Sequence, residues 1–384
     1  MKFRITIFTL FIVTMSFAQK VKPPKVDLDR YSFRVSYQKL PEIFVPLENM
    51  TYSTYVSTAL SLRSANVDGS VLNSQLQIFG WKKVDDSPNL KVSLNLNEYN
   101  QQGSKVNTEV VENKDKDGKV TDRYNLYQLV ADYSGSAVCY TEGIKSGEVE
   151  APKQETKTES KVNRFLQKVS DGAAKLDDSD SNNKSTLKRS FGYSYQYKSD
   201  QVKHSSNEIV KNYNLSKGDL FRTYALKFSN DVLNGANEFI NNKYGYTPLT
   251  ISDNLWIIDS EDEEGKIQKE AVDAVRTIFN TMNPNMPLDD IKTNIQPLIE
   301  YFDSLKTKYT GDDKGSRKIR YSAYYNLGKI YLYLDMPEKA IAEGEGLIAN
   351  DYDKKDGNNI INDAKRLMAD FERTKLKSRH NVLN

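Results

Sequence analysis

A single cysteine, Cys139, stands in 384 residues, so no disulfide can form within the chain and covalent cross-links contribute nothing to its stability. It lies in the apolar stretch Ala137-Val138-Cys139-Tyr140, which reads as a buried strand rather than a reactive thiol. Histidine is almost as scarce, with only His204 and His380 present. Neither has Cys, His or carboxylate neighbours at ligand spacing, which argues against a zinc site and against a histidine general base. Both stand in polar or terminal stretches and read as solvated. Phosphate-cradling glycines are missing too: no Gly-x-Gly-x-x-Gly occurs, and residues 311–315 lack the Gly-Lys-Ser/Thr ending of a phosphate loop. Gly135-Ser136 lacks the preceding glycine of a nucleophile elbow. No catalytic residue, metal site or cofactor is therefore expected.

Charge of one sign is also absent. The chain has 54 basic and 52 acidic residues, and loss of Lys2 and Arg4 with a cleaved leader takes the basic count to 52. A net charge of zero gives no general grip on nucleic acid or anionic lipid, so neither partner class is favoured. The one long apolar run is N-terminal. Lys2 and Arg4 precede residues 5–17, interrupted only by Thr6, Thr9, Thr14 and Ser16, and Ser16 and Ala18 are small residues placed for cleavage after Ala18. Thirteen residues fall short of the roughly 20 needed to span a bilayer. Residues 1–18 are predicted to be a signal peptide, leaving no integral membrane segment. No cysteine stands at the cleavage point for acylation, so an exported protein, periplasmic or secreted and not a lipoprotein, is expected.

Beyond the leader, residues 31–37, 52–62, 90–96 and 124–133 alternate in the period-two manner of strands with one buried face. Val71, Leu72, Leu76 and Phe79 recur at helical spacing and predict a helix closed by Gly80. The helix, glycine exit and Pro88-Asn89 return in residues 77–94 resemble the small α/β domains of bacterial envelope assembly proteins. Residues 145–189 turn polar, too poor in apolar surface to offset the entropy of ordering. They read as an insertion with a short helix at 162–169. Residues 191–197 resume the sheet with Tyr193, Tyr195 and Tyr197 on one face, and residues 220–244 form an amphipathic helix that closes against it. Residues 113–120 resemble the opening of a calcium loop, but Tyr124 stands where a bidentate Glu belongs, so Asp117-Gly118 reads as a hairpin turn.

The acidic run 259–264 reads as a solvated linker, and past it helical spacing takes over, in Ala271, Val272, Val275, Ile278 and Phe279, then Leu298, Ile299, Phe302 and Leu305, with Pro297 suiting a first turn. Residues 321–334 are apolar around most of a helix, and Asp335-Met336-Pro337-Glu338 predicts a capped turn into a second helix. This hairpin resembles a tetratricopeptide repeat: Tyr324 at the bulky position, Leu327-Gly328 at the leucine-glycine pair, Tyr331 at the aromatic and Ala340 at the helix crossing. Gly344, Leu347 and Tyr352 depart from the pattern. One repeat cannot bury its own faces, so flanking helices, including residues 360–371, must complete the stack.

The expected fold class is α+β: an α/β domain over 30–258, with a mainly antiparallel sheet and the 145–189 insertion, then an all-α domain over 266–379. The expected function is a non-enzymatic scaffold or adaptor of the bacterial cell envelope that binds a protein partner through its helices. Tyr324, Asn326 and Tyr331 are the candidate contacts or supports. Two alternatives are an envelope polysaccharide hydrolase using unidentified carboxylates and a glycan-binding protein using Trp81 or Trp256 as stacking platforms.

Overall fold

The computed structural model describes residues 26–143, 186–203, 205–259 and 263–383. The leader and its cleavage site, the helix expected at 162–169 and His204 lie outside the described residues. In chain order the elements are β1 (Asp27–Lys39), a 3-10 turn, β2 (Thr51–Thr58), α1 (Leu60–Ser64), α2 (Gly69–Gln75), β3 (Lys82–Lys83), β4 (Leu90–Lys114), β5 (Val120–Glu142) and β6 (Leu187–Lys198). Then come α3 (Ser206–Tyr244), β7 (Thr247–Asp259), α4 (Glu263–Phe279), α5 (Asp289–Lys308), α6 (Lys314–Tyr333), α7 (Pro337–Ala349) and α8 (Lys354–Thr374). The fold is α+β. Among the described residues no helix is long and apolar enough to cross a membrane.

Contacts divide the chain into two compact units that are interleaved in sequence. One gathers residues up to Arg34, Ser252–Thr281 and Asp290–Lys365; the other gathers Val35–Ile251, Met282–Asp289 and Arg366–Asn384. The helical unit thus takes in segments ahead of residue 266, and residues 366–384 belong with the sheet. β7, which pairs with β1, was not singled out in the sequence.

The sheet unit is built on five strands ordered β3-β2-β4-β5-β6. β4, β5 and β6 are antiparallel neighbours, whereas β2 runs parallel to both β3 and β4. The alternation seen in the sequence is the burial pattern: Leu90, Val92, Leu94 and Leu96 are buried. Each such side chain contributes about 1.5–3 kcal/mol. β6 begins at Leu187, which lies opposite Thr141, so the last residues assigned to the polar insertion are strand, held by their ladder partners. α3 begins 14 residues before the expected position 220, and its apolar face packs on the sheet through Phe228, Val232, Ala236 and Ile240. Gly135 permits this approach. A Cβ there would lie 2.7 Å from the Phe228 ring and 2.9 Å from the Glu98 carbonyl.

The helix expected over 71–79 is shorter and ends at Gln75. Side chains of α3 explain the difference, because they capture the backbone that a longer helix would have used. Asn237 Oδ1 accepts from Gln77 N at 3.0 Å, Asn241 Oδ1 accepts from Phe79 N at 2.8 Å, and Asn241 Nδ2 donates to the Gln77 carbonyl at 2.8 Å. Gly80 lies in the left-handed region at φ +80°, but in the turn after this segment rather than at a helix end. The strand expected over 52–62 stops at Thr58, where α1 follows as a single turn.

The β4–β5 turn is closed by Asp115, whose Oδ1 accepts from Asp117 N and Lys119 N at 3.0 and 2.9 Å, with Gly118 at φ +79°. These bonds use the carboxylate that a calcium loop would spend on its ion. The C-terminal segment is ordered against β1: Gln38 N donates to the Arg379 carbonyl at 2.8 Å, and His380 Nε2 lies 2.9 Å from the Ser36 carbonyl. His380 is therefore buried, not solvated as its terminal position suggests.

In the helical unit, α6 begins at an Asp313 cap, which accepts from Ser316 N at 3.0 Å, so it starts a full two turns ahead of the expected residue 321. Pro297 lies inside α5, not in its first turn, at the cost of one backbone rung. The turn into α7 also differs. Met336 is the cap residue, Asp335 sits at φ +58°, and Pro337 opens the helix. Gly344, a departure from the repeat pattern, meets a physical need here: a Cβ would lie 2.9 Å from the Gly357 carbonyl of α8. Gly328 faces Ile360 in the same way at 2.9 Å. Leu327, Ala340 and Leu347 are fully buried, and Phe33, Phe279 and Tyr333 interlock with ring centroids 5.6–6.2 Å apart.

Candidate partner-binding site

The three residues singled out in the sequence have different fates. Asn326 is fully buried and holds one residue of β7 at both ends, accepting from Trp256 N at 2.8 Å and donating to the Trp256 carbonyl at 2.8 Å. It is a clip between helix and strand with no surface to offer. Tyr324 is half-buried, with Lys306 Nζ 4.8 Å from its ring centroid. That ammonium is held by Asp303 and Glu343 at 2.7 and 2.8 Å. Burial alone would lower the Lys306 pKa, but the two carboxylates outweigh it and raise it. Tyr331 is half-buried under Lys339 at 5.3 Å. Tyr324 and Tyr331 thus line α6 beside an ion-paired lysine, and Asn326 points away from them into the core.

What the sequence did not single out is an aromatic cluster on the neighbouring face of α6. Tyr321 and Tyr325 are one turn apart, and both rings lie about 6 Å from Trp256 of β7, at 6.0 and 6.1 Å. Tyr352, from the turn before α8, packs on Tyr321 at 5.0 Å and is 38% exposed. Arg30 of β1 lies over the Trp256 ring at 5.1 Å, a cation–π contact. Tyr321 OH donates to Asp356 Oδ2 at 2.6 Å. Burial first, then the Asp356 carboxylate, push the Tyr321 pKa upward, so the phenol remains a donor at neutral pH. Beside the cluster Lys329 Nζ bonds Asp253 Oδ2 at 2.8 Å, and Tyr333 OH donates to the same carboxylate. Trp256 Nε1 is a buried donor without a partner.

Rings fixed in this way present flat apolar area at little entropic cost, with Arg30 and Asp356 as charged handles. The tyrosine spacing within α6 was legible in the sequence. Its partners, 65 residues upstream in Trp256 and farther in Arg30, were not, since only folding brings β1, β7 and α6 together.

The chain's other chemically interesting groups are occupied. Cys139 is fully buried, and its thiol is pushed up to about 12 by burial. Glu264, from the acidic run read as a solvated linker, is in fact buried. It accepts from Lys308 Nζ, Tyr309 OH and Tyr301 OH at 2.5, 2.8 and 2.9 Å. Burial pushes its carboxyl upward, but these donors prevail and hold it below the usual range, so it is ionised and saturated at neutral pH. Trp81 is 6% exposed and spends its indole N–H on the Tyr244 carbonyl at 2.9 Å, which removes it as a stacking platform. Among the described residues no three His, Cys, Asp or Glu side chains converge as metal ligands. In comparison with known proteins, no family model matches the chain, and neither a curated protein nor a solved structure matches it.

Proposed function

We propose that this chain is a non-enzymatic, exported scaffold or adaptor of the bacterial cell envelope that binds a protein partner through its helical unit. The observation that carries the reading is the cluster of Trp256, Tyr325, Tyr352 and Arg30. Tryptophan, tyrosine and arginine are the side chains that dominate binding energy at protein interfaces, and here helices and ring contacts hold them in place before any partner arrives. The close crossings at Gly328 and Gly344 support the tetratricopeptide-like reading of α6 to α8, a fold whose role is to present such surfaces. Tyr324 and Tyr331 flank the surface, and Asn326 supports it from within.

Truncation is a poor test, because residues 366–384 belong to the sheet unit. Site-specific photocrosslinking in the full chain avoids this. A photoreactive residue at Tyr352 or Tyr325, expressed in envelope-bearing cells, is expected to capture a defined protein species that the same probe at Leu215, 78% exposed on α3, does not. Equal capture from both places, or none from the cluster, refutes the reading. The export part is checked separately, by a mature N-terminus at Gln19 in the envelope fraction.

Glycan binding is the second reading, favoured by the partly exposed Trp256 ring with its unpartnered indole N–H. Trp256→Ala would abolish retention on envelope glycans under that reading and leave it unchanged under the first.

A further inference from the structure

β4 and β5 continue well beyond the sheet that contains them. β2 accompanies β4 only to Leu96, opposite Thr58, and β6 leaves β5 at Val130. β4 and β5 stay in register with each other from Gly103 opposite Asp132 to Asn113 opposite Asp122, with β6 beside β5 as far as Val130 and residues 199–202 bridged to it as far as Tyr127, so that the outer end of this arm is two-stranded. Its 11 residue pairs extend about 36 Å at roughly 3.3 Å per residue. Of residues 101–123, all but Val106 and Val111 are exposed. A lone two-stranded ribbon is marginal in water and gains from further strands, and an edge strand of this length is a template for another strand. On the β4 edge, from Glu98 to Lys114, no third strand is present among the described residues.

We propose that the free edge of β4 pairs antiparallel with the same edge of a second copy of this chain, with the two-fold axis at Asn107. The symmetry restricts the choice. Alternate residues of a regular strand turn their N–H and C=O groups to the same edge, so two copies of one edge can match only where some residue faces itself. Centring on Glu109 sets two carboxylates face to face, and centring on Thr108 places Lys105 opposite Val111. Centring on Asn107 places Lys105 opposite Glu109 twice over, Val106 opposite Thr108 and Ser104 opposite Val110. Among the self-facing registers of the arm this one alone gives Lys105 a carboxylate directly across. Lys105 has no ion-pair partner among the described residues. Among the described residues Glu109 is held by Gln201 Nε2 at 3.2 Å, an exposed contact that the pairing would exchange for the lysine.

Length agrees with charge. In this register the regular ladder runs out to Val111 opposite Gly103 of the other copy, ending where β4 departs from regular pairing between Gln101 and Gly103, short of the point where β2 takes up the edge. The two arms would form a continuous four-stranded ribbon with a sheet unit at each end. This dimer does not rest on partner binding by the helical unit.

Sedimentation of the mature full chain is expected to show a monomer–dimer equilibrium. Lys105→Glu and Glu109→Lys should each weaken it roughly tenfold or more, since each reverses two cross-strand charge pairs at once. The double swap should restore it, with unchanged melting curves throughout because the sites are exposed. Asn107→Cys should form a disulfide-linked dimer under mild oxidation. The facing Cα atoms of an antiparallel pair lie within disulfide reach, and the native Cys139 is buried and cannot compete. Ser104→Cys should not cross-link, because its copy lies six residues along the ladder. A monomer at all concentrations up to about 100 µM, dimers indifferent to the charge swaps, or equal cross-linking at 104 and 107 would overturn the proposal.

Discussion

Replacing Asn326 by leucine tests the central claim about the helical unit, that one buried amide fastens β7 to α6. The substitution keeps the volume and removes both hydrogen bonds, leaving the Trp256 N–H and C=O without the partners that now sit at 2.8 Å each. An orphaned buried polar group costs about 1–3 kcal/mol, so two give about 2–6 kcal/mol. Burial of the leucine side chain returns part of this, on the order of 1–2 kcal/mol, for a net loss of about 0–5 kcal/mol, centred at about 2.5 kcal/mol. With a urea m-value of about 2 kcal/mol/M, the transition should fall by about 1 M at that central value. The assay is tryptophan fluorescence in a Trp81→Phe background, in which Trp256, the very residue held by the clip, is the sole reporter. A shift below about 0.2 M would refute the assignment of Asn326 as a clip and return it to the list of possible partner contacts.

Three further outcomes follow from the geometry. The folded-state pKa of Glu264 is depressed by its three donors, so its contribution is fully present above the unfolded value near 4.3–4.5 and is lost as pH falls through the folded value. Melting temperatures from pH 3 to 7 should therefore fall more steeply at the acid end in the native chain than in Glu264→Gln, and parallel curves would contradict this. Gly344→Ala places a Cβ 2.9 Å from the backbone carbonyl of Gly357 and should cost about 1–3 kcal/mol, seen as a melting point lower by several degrees; an unchanged value would mean α7 and α8 do not approach so closely. Cys139 should resist thiol reagents in the native chain and react stoichiometrically in denaturant, and rapid native labelling would place it outside the core.

Strand identity was legible wherever the apolar residues alternate, as in Leu90, Val92, Leu94 and Leu96, because one buried face imposes that period whatever lies across it. The aromatic face of β6 and the apolar face of α3 were legible for the same reason, and Asp117-Gly118 announced its turn through local backbone preference. The end of α2 was not legible. Its sequence continues at helical spacing to Phe79, but Asn237 and Asn241, more than 150 residues later, bind the backbone of 75–79 and stop the helix.

The candidate site divides along the same line. By itself the sequence determined the α+β character, the scarcity of thiol and imidazole, and Gly328 and Ala340 as small residues of the helical hairpin, since these depend on composition and on periods of two and 3.6. Only the tertiary structure decided that Asn326 is buried, that Glu264 and His380 are interior rather than solvated, and that Trp256, Tyr325, Tyr352 and Arg30 share one surface. Each of those outcomes turns on hydrogen bonds and packing between segments far apart in the chain, whose meeting no local pattern encodes.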